Sequence, residues 1–188
     1  MKIKGPGESP LLLLNVIKHL NRLKIPYAVV GAFAASYYGQ VRASVDADAV
    51  ISVKGHEEKA ERLVAVLKED GLKVERRRGD IHDPIRLVLN IEDKFHNRVD
   101  LLAGIRGMEE AVFKRAVKAS FERSSIKIAG VEDFIAMKIF AGSPKDIQDA
   151  VGVLKVSLRK VDMALLKNLT RLYGRVELAR LEKLLKNI

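Results

Sequence analysis

The stretch SVDADAVI, residues 44–51, limits what this 188-residue chain can become. Valine, alanine and isoleucine at alternate positions favour an extended strand, and alternate residues of a strand point to one side. Asp46 and Asp48 therefore share one face, while Val45, Ala47, Ala49 and Ile51 share the other. Two carboxylates side by side repel, so a cation must sit between them or the pair must lie at a wet surface.

The residues around this strand alternate in the same readable way. Ser9-Pro10 reads as an N-cap followed by proline at the first helical position, and Leu13, Val16, Ile17, Leu20 and Leu23 keep helical spacing until Pro26. Residues 27–30 form a short apolar strand, and GAFAASYYG reads as a helix starting at Gly31. SVDADAVISV is the second strand. HEEKAERLVAVLKEDG is a helix with Ala60, Leu63, Val64 and Leu67 on its apolar face and Gly71 as its stop. Residues 72–75, 85–91 and 98–102 are strand candidates, separated by RRRGDIHD and EDKFHN as polar turns. GIRGMEEAVFKRAVK reads as a helix, and FERSSIKIAG as a strand or a hairpin ending at Gly130. Four helical stretches follow, so the order is mixed early and helical late. The least arbitrary boundary separates a core over 1–129 from a helical C-terminal region over 130–188.

Composition narrows the partners. Hydrophobic residues make up 48% of the chain, enough for a sizeable core. No stretch approaches the roughly 18 uninterrupted apolar residues of a membrane span. The apolar run near the N-terminus is short and is followed by Lys18, His19, Arg22 and Lys24, unlike a signal peptide. A soluble, cytoplasmic protein is expected, with no membrane partner. There are no cysteines, which excludes disulfides and thiolate metal sites. The net charge of +10 favours a polyanionic partner, and cations are dense from Lys155 onward. His19, His56, His82 and His96 show no metal-ligand spacing.

Carboxylates on a strand are what a magnesium site uses, because the hard cation takes oxygen ligands and leaves positions for phosphate oxygens. Asp100 in NRVDLLAG, flanked by Val99 and Leu101 on the opposite face, is a third candidate ligand. If its strand neighbours that of Asp46 and Asp48, three carboxylates converge, enough to hold two metal ions. A strand aspartate paired with Lys or Arg is the plainer reading; it suits Asp100 alone and is awkward for all three. At Val30-Gly31-Ala32, the amide groups of a helix N-terminus attract phosphate, and glycine permits close approach.

Strand, glycine turn, helix and carboxylate strand together resemble the nucleotidyltransferase superfamily, whose pattern is Gly-Gly or Gly-Ser, about a dozen residues, DxD, and a later third Asp. Here these are Gly31-Ala32, thirteen intervening residues, Asp46-Ala47-Asp48, and Asp100. VVGAFAASYYGQVRASVDADAVI is similar to the small prokaryotic branch of MNT-like proteins and AbiEii-type toxins. Ala32 replaces the second Gly or Ser, so a hydroxyl contact to the triphosphate is missing. IKIAGVEDFIAMKIFAGSPKDIQDAVGVL resembles the AbiEii-like arrangement of a lysine within one helix and a [KR]DxxD motif opening the next. Lys138 matches the phosphate-meeting lysine, and Lys145, Asp146 and Asp149 match KDxxD. The same residues have a structural reading: Ser143 as N-cap, Pro144 at the first position, and Lys145 with Asp149 as an i,i+4 pair. Arg42 matches a frequent family position near phosphate.

The resemblance implies an α+β nucleotidyltransferase-fold mixed sheet with flanking helices, followed by a helical C-terminal region. It implies transfer of a nucleoside monophosphate from an NTP to a hydroxyl of RNA, protein or a small molecule. Asp46, Asp48 and Asp100 would hold Mg2+ or Mn2+ and do the catalysis. Gly31, Ala32, Arg42, Lys138, Lys145, Asp146 and Asp149 would form the nucleotide-binding set. The expected partners are an NTP, RNA such as tRNA, and a cognate toxin or antitoxin. The competing reading is a non-catalytic protein of the same fold that binds nucleic acid or a toxin-antitoxin partner.

Overall fold

The computed structural model describes residues 3–53 and 57–188. Among these residues, seven strands form one sheet in the order β3-β4-β5-β2-β1-β7-β6. They are β1 (Tyr27–Val29), β2 (Asp46–Ile51), β3 (Lys73–Arg78), β4 (Ile85–Glu92), β5 (Arg98–Ile105), β6 (Val117–Phe121) and β7 (Ser124–Ile128). The pairs β2–β5 and β1–β7 are parallel and the others antiparallel. Among the described residues, eight helices flank the sheet: α1 (Ser9–Arg22), α2 (Gly31–Tyr37), α3 (Glu57–Glu69), α4 (Val112–Arg115), α5 (Val131–Ala141), α6 (Pro144–Ser157), α7 (Met163–Tyr173) and α8 (Arg175–Leu185). This is the expected mixed sheet with flanking helices and a helical C-terminal run.

Alternation assigns the two faces. Ala47, Ala49 and Ile51 of β2, with Val99, Leu101 and Ala103 of β5, join the main hydrophobic core that also takes Leu12, Leu13 and Leu20 of α1 and Leu63 and Leu67 of α3. The other face carries Asp46 and Asp48, and its apolar part is a small cluster of Ala28, Val30, Val50 and Ala129. Helix α5 serves both, with Met137 against the small cluster and Phe134, Ile135 and Ile139 in the main core.

Several elements depart from expectation. Val45 is 72% exposed and precedes β2, so the core-facing row starts at Ala47. Ser9 is not a cap; it lies inside α1, whose N-cap is Glu8. Its hydroxyl donates to Val45 O at 2.6 Å and accepts from Arg98 N at 3.0 Å, fastening α1 to the start of β2 and β5. Arg76, Arg77 and Arg78 are not a turn but the end of β3, paired with Leu89, Val88 and Leu87. On the sheet edge, charge is compatible with a strand and discourages further pairing. The stretch 104–118 is not one helix: β5 continues to Ile105, only Val112–Arg115 is helical, and β6 starts at Val117. There β-ladder pairing on both sides overrides helical propensity. FERSSIKIAG contributes to the β6–β7 hairpin. His56, the expected start of α3, lies outside the described residues.

Candidate active site

β1 ends at Val29, and Val30 N still donates to Asp48 O at 2.9 Å before the chain turns at Gly31 into α2. Gly31 has φ +64°, and a Cβ there would lie 1.9 Å from Asp48 Oδ2. A side chain would strike the carboxylate, which explains the glycine. Ala32, the position without a hydroxyl, is 5% exposed and turned into the core.

The parallel pairing of β2 and β5 sets Asp48 directly beside Asp100, one pleat along from Asp46 beside Arg98. The three acids therefore occupy one face of two adjacent strands, as the alternation required. Among the described residues, no three His, Cys, Asp or Glu side chains form a ready-made metal cluster. Asp100 Oδ1 instead accepts from Asn90 Nδ2 at 2.8 Å. The three acids thus share a face, with Asp100 directly beside Asp48 and one of its oxygens taken by the amide of Asn90.

The remaining two acids carry an electrostatic deficit. Asp46 Oδ1 is buried without a hydrogen-bond partner. Burial, then the charge of Asp100 and that of Asp46, push the Asp48 carboxyl up to about 6 against the opposing pull of Lys138 and Arg42. An all-oxygen donor set that is crowded, partly desolvated and short of positive charge fits a hard divalent cation such as Mg2+ or Mn2+.

Across from the acids, α5 and α6 build an ion-pair network. Asp149 is 1% exposed. It accepts from Arg42 Nε at 2.9 and 3.1 Å and pairs with Lys138 Nζ at 3.0 Å. Lys138 also donates to Asp146 Oδ1 at 2.6 Å. Ser143 caps α6, with Asp146 N donating to its hydroxyl at 3.2 Å. The expected Lys145–Asp149 pair does not form among the described residues; Asp149 faces inward to Arg42 and Lys138 while Lys145 is exposed. Hydrogen bonds from Lys138 and Ser143 outweigh burial and hold the Asp146 carboxyl below its usual range.

Between the sheet and this network runs a cleft of about 670 Å³. Gly31, Asp46, Asp48, Arg42, Lys138, Lys145 and Asp146 border it, whereas Asp100, Ala32 and Asp149 do not. Its apolar floor includes Val50 and Leu102, neighbours in the β2–β5 ladder. Three further bordering or adjoining residues escape the sequence reading: Arg106, Glu177 of α8, and Asn90 beside Asp100. Strand alternation puts Asn90 on the acid face; nothing local marks Glu177. A smaller cleft of about 320 Å³ beside α1 contains Asp70, already bonded to His19 at 2.8 Å. His96 similarly contacts Glu92 at 2.5 Å, and His82 is exposed. His56 lies outside the described residues.

Comparison with protein-family models and with curated proteins gives no match. Solved structures do match. The antibiotic-resistance factor ANT(2'')-Ia aligns with a TM-score of 0.60 at 14% identity over 95% of this chain and 97% of its own. A putative nucleotidyltransferase from Thermotoga maritima aligns with a TM-score of 0.56 at 14% identity, over 84% and 97%. The lincosamide antibiotic adenylyltransferase LnuA, bound to lincomycin, gives 0.51 at 10% identity, over 77% and 95%. The chain has the nucleotidyltransferase fold.

Proposed function

We propose that this chain transfers a nucleoside monophosphate from an NTP to a hydroxyl acceptor with the aid of Mg2+ or Mn2+. The observation that carries the reading is the electrostatic deficit at Asp46 and Asp48, beside a glycine turn packed directly against the Asp48 carboxylate. In the reaction, an acceptor oxygen bonds to the α-phosphorus, the bond to the pyrophosphate oxygen breaks, and pyrophosphate leaves with that electron pair. Asp100, set back from the cleft lining but directly beside Asp48 and with one oxygen left by Asn90, is the carboxylate proposed to take the acceptor proton. Gly31 and Ala32, first residues of a helix, offer backbone N–H groups without intrahelical acceptors. Lys138, Arg42 and Lys145 supply positive charge along the cleft, and Asp146 and Asp149 hold the first two in place. Asp46 and Asp48 would hold the cation, which when bound neutralises them and withdraws charge from the phosphate.

The test is incubation with each labelled NTP, magnesium and total RNA. Label transfer that disappears in the Asp46→Asn/Asp48→Asn double variant is expected; transfer that persists in that variant overturns the role of the pair.

The finer placement rests on the sequence likeness to MNT-like proteins and AbiEii-type toxins. It makes the chain a cytoplasmic toxin-antitoxin component with a cognate partner, and 130–188 a helical region packed on the 1–129 core. Growth inhibition on expression, relieved by a neighbouring gene product, tests it. A second reading, nucleic-acid or toxin-antitoxin binding without turnover, is favoured by Ala32, which has no hydroxyl to offer a triphosphate. Salt-sensitive nucleic-acid binding with no label transfer under any NTP supports that alternative.

A further inference from the structure

The acid face of the sheet extends past Asp100 onto β4 and β3, and its charge changes sign there. Register puts Asn90 beside Asp100 and Val88 beside Leu102, with Arg77 of β3 opposite Val88. Arg86 and Arg77 therefore lie diagonally adjacent on the same face as the carboxylates, and both are exposed. Arg86 has a prepared path. A Cβ on Gly104, which has φ +67°, would meet Arg86 Cβ at 2.8 Å and Cδ at 2.9 Å, so the glycine lets the arginine stem lie flat across β5. Just beyond Gly104, Arg106 borders the cleft and its N–H donates to Pro84 O at 2.8 Å, tying it beside the start of β4. Among the described residues, none of these three guanidinium groups has a carboxylate within ion-pair distance. The neighbouring Lys73 and Arg98 are engaged, with Glu75 and Glu92 respectively.

The geometry points to a phosphodiester-binding strip made by Arg77, Arg86 and Arg106, which guides a single strand of nucleic acid into the cleft as the acceptor. Planar, permanently charged guanidinium groups suit phosphate, and three of them in a row suit a repeating anion rather than a lone one. The C-terminal cations are the rival surface, but from Lys155 onward none borders the cleft; the α8 residue that does is the acidic Glu177. The inference deepens the proposed transfer by naming its acceptor, and depends on that reading only for the purpose of the bound strand.

The experiment measures binding of a short labelled oligonucleotide, RNA in one arm and DNA in the other, to the full chain across salt concentrations. EDTA is present and NTP is absent. The Arg77→Gln/Arg86→Gln/Arg106→Gln variant should bind about tenfold or more weakly. Its slope of log affinity against log salt should be shallower by about 2, near 0.7 for each single-strand phosphate that no longer meets a guanidinium. Weakening in either arm supports the strip and identifies the strand. Unchanged affinity and slope for the triple variant in both arms overturns the proposal, as does a Lys183→Gln/Lys186→Gln variant that alone reproduces the weakening. Thermal unfolding of each variant guards against loss of fold. If binding behaves as expected but no NTP is ever consumed, the transfer reading fails and the strip stands. If a small hydroxyl compound is nucleotidylated while the triple variant binds normally, only the strip fails.

Discussion

At the residue scale, the contact between Gly31 and Asp48 sets the most exacting condition in the molecule. Gly31→Ala adds a methyl where a carboxylate oxygen lies 1.9 Å away, on backbone at φ +64°. We expect destabilisation of roughly 1–3 kcal/mol, measured by denaturant unfolding, together with loss of any thermal shift produced by NTP and manganese. A variant with unaltered stability and shift would show that the turn is roomier than described. Asp48 itself carries a pH signature. Its folded pKa of about 6 lies above the unfolded value of 3.8, so the folded state binds more protons between the two. The metal-free protein should lose stability as pH rises from about 4 to 6 and keep that penalty above it. Asp48→Asn should therefore raise the melting temperature by a few degrees at pH 7, with the gain vanishing near pH 4. Equal melting temperatures at both pH values would contradict this. The two β2 acids and Gly31 are legible in the sequence because period-two alternation and a strand-helix junction are local signals. The hold of Asn90 on Asp100 is not, since a hydrogen bond between strands leaves no mark in either.

At the scale of elements, α6 anchors two others. Through Asp149 it holds Arg42, from the loop after α2, and Lys138 of α5. Removing this buried acid in Asp149→Ala strands Arg42 and leaves Lys138 with Asp146 alone, and a loss of about 3 kcal/mol in unfolding free energy is expected. The cap is a smaller matter: Ser143→Ala should cost about 1 kcal/mol. A loss at Asp149 no larger than that at Ser143 would mean that water already screens the network. The helix over 144–157 is legible because its cap and proline are adjacent in sequence. The Lys145–Asp149 pair fails because helix spacing gives proximity, while the inward direction of Asp149 is set by Arg42, 107 residues away. The sequence makes β3 too short for a related reason: its arginines look like a turn until β4 lies beside them.

For the whole molecule, one hydrophobic core joins α1, the sheet and α5 through α8. Leu181, buried in α8, belongs to it, and Arg180 Nη1 donates to Ile139 O at 2.6 Å. Leu181→Ala should lower stability by about 2–5 kcal/mol and release α8, with Glu177, from the cleft wall. Calorimetry would check this as a lower but still single transition; two separated transitions would divide the chain where this core joins it. Sheet order itself cannot be read from sequence, because it depends on pairings that skip elements, such as β2 with β5. One such closure involves the beginning of the chain. Glu8 N donates to Asn97 Oδ1 at 2.7 Å and Asn97 Nδ2 to Gly5 O at 2.9 Å, next to the Ser9 hydroxyl that bridges both acid-bearing strands. During synthesis, these early groups must therefore wait in water for partners made 89 residues later. Protection of the Glu8 amide from deuterium exchange would therefore mark the point at which Asn97, just ahead of β5, has docked against the start of α1.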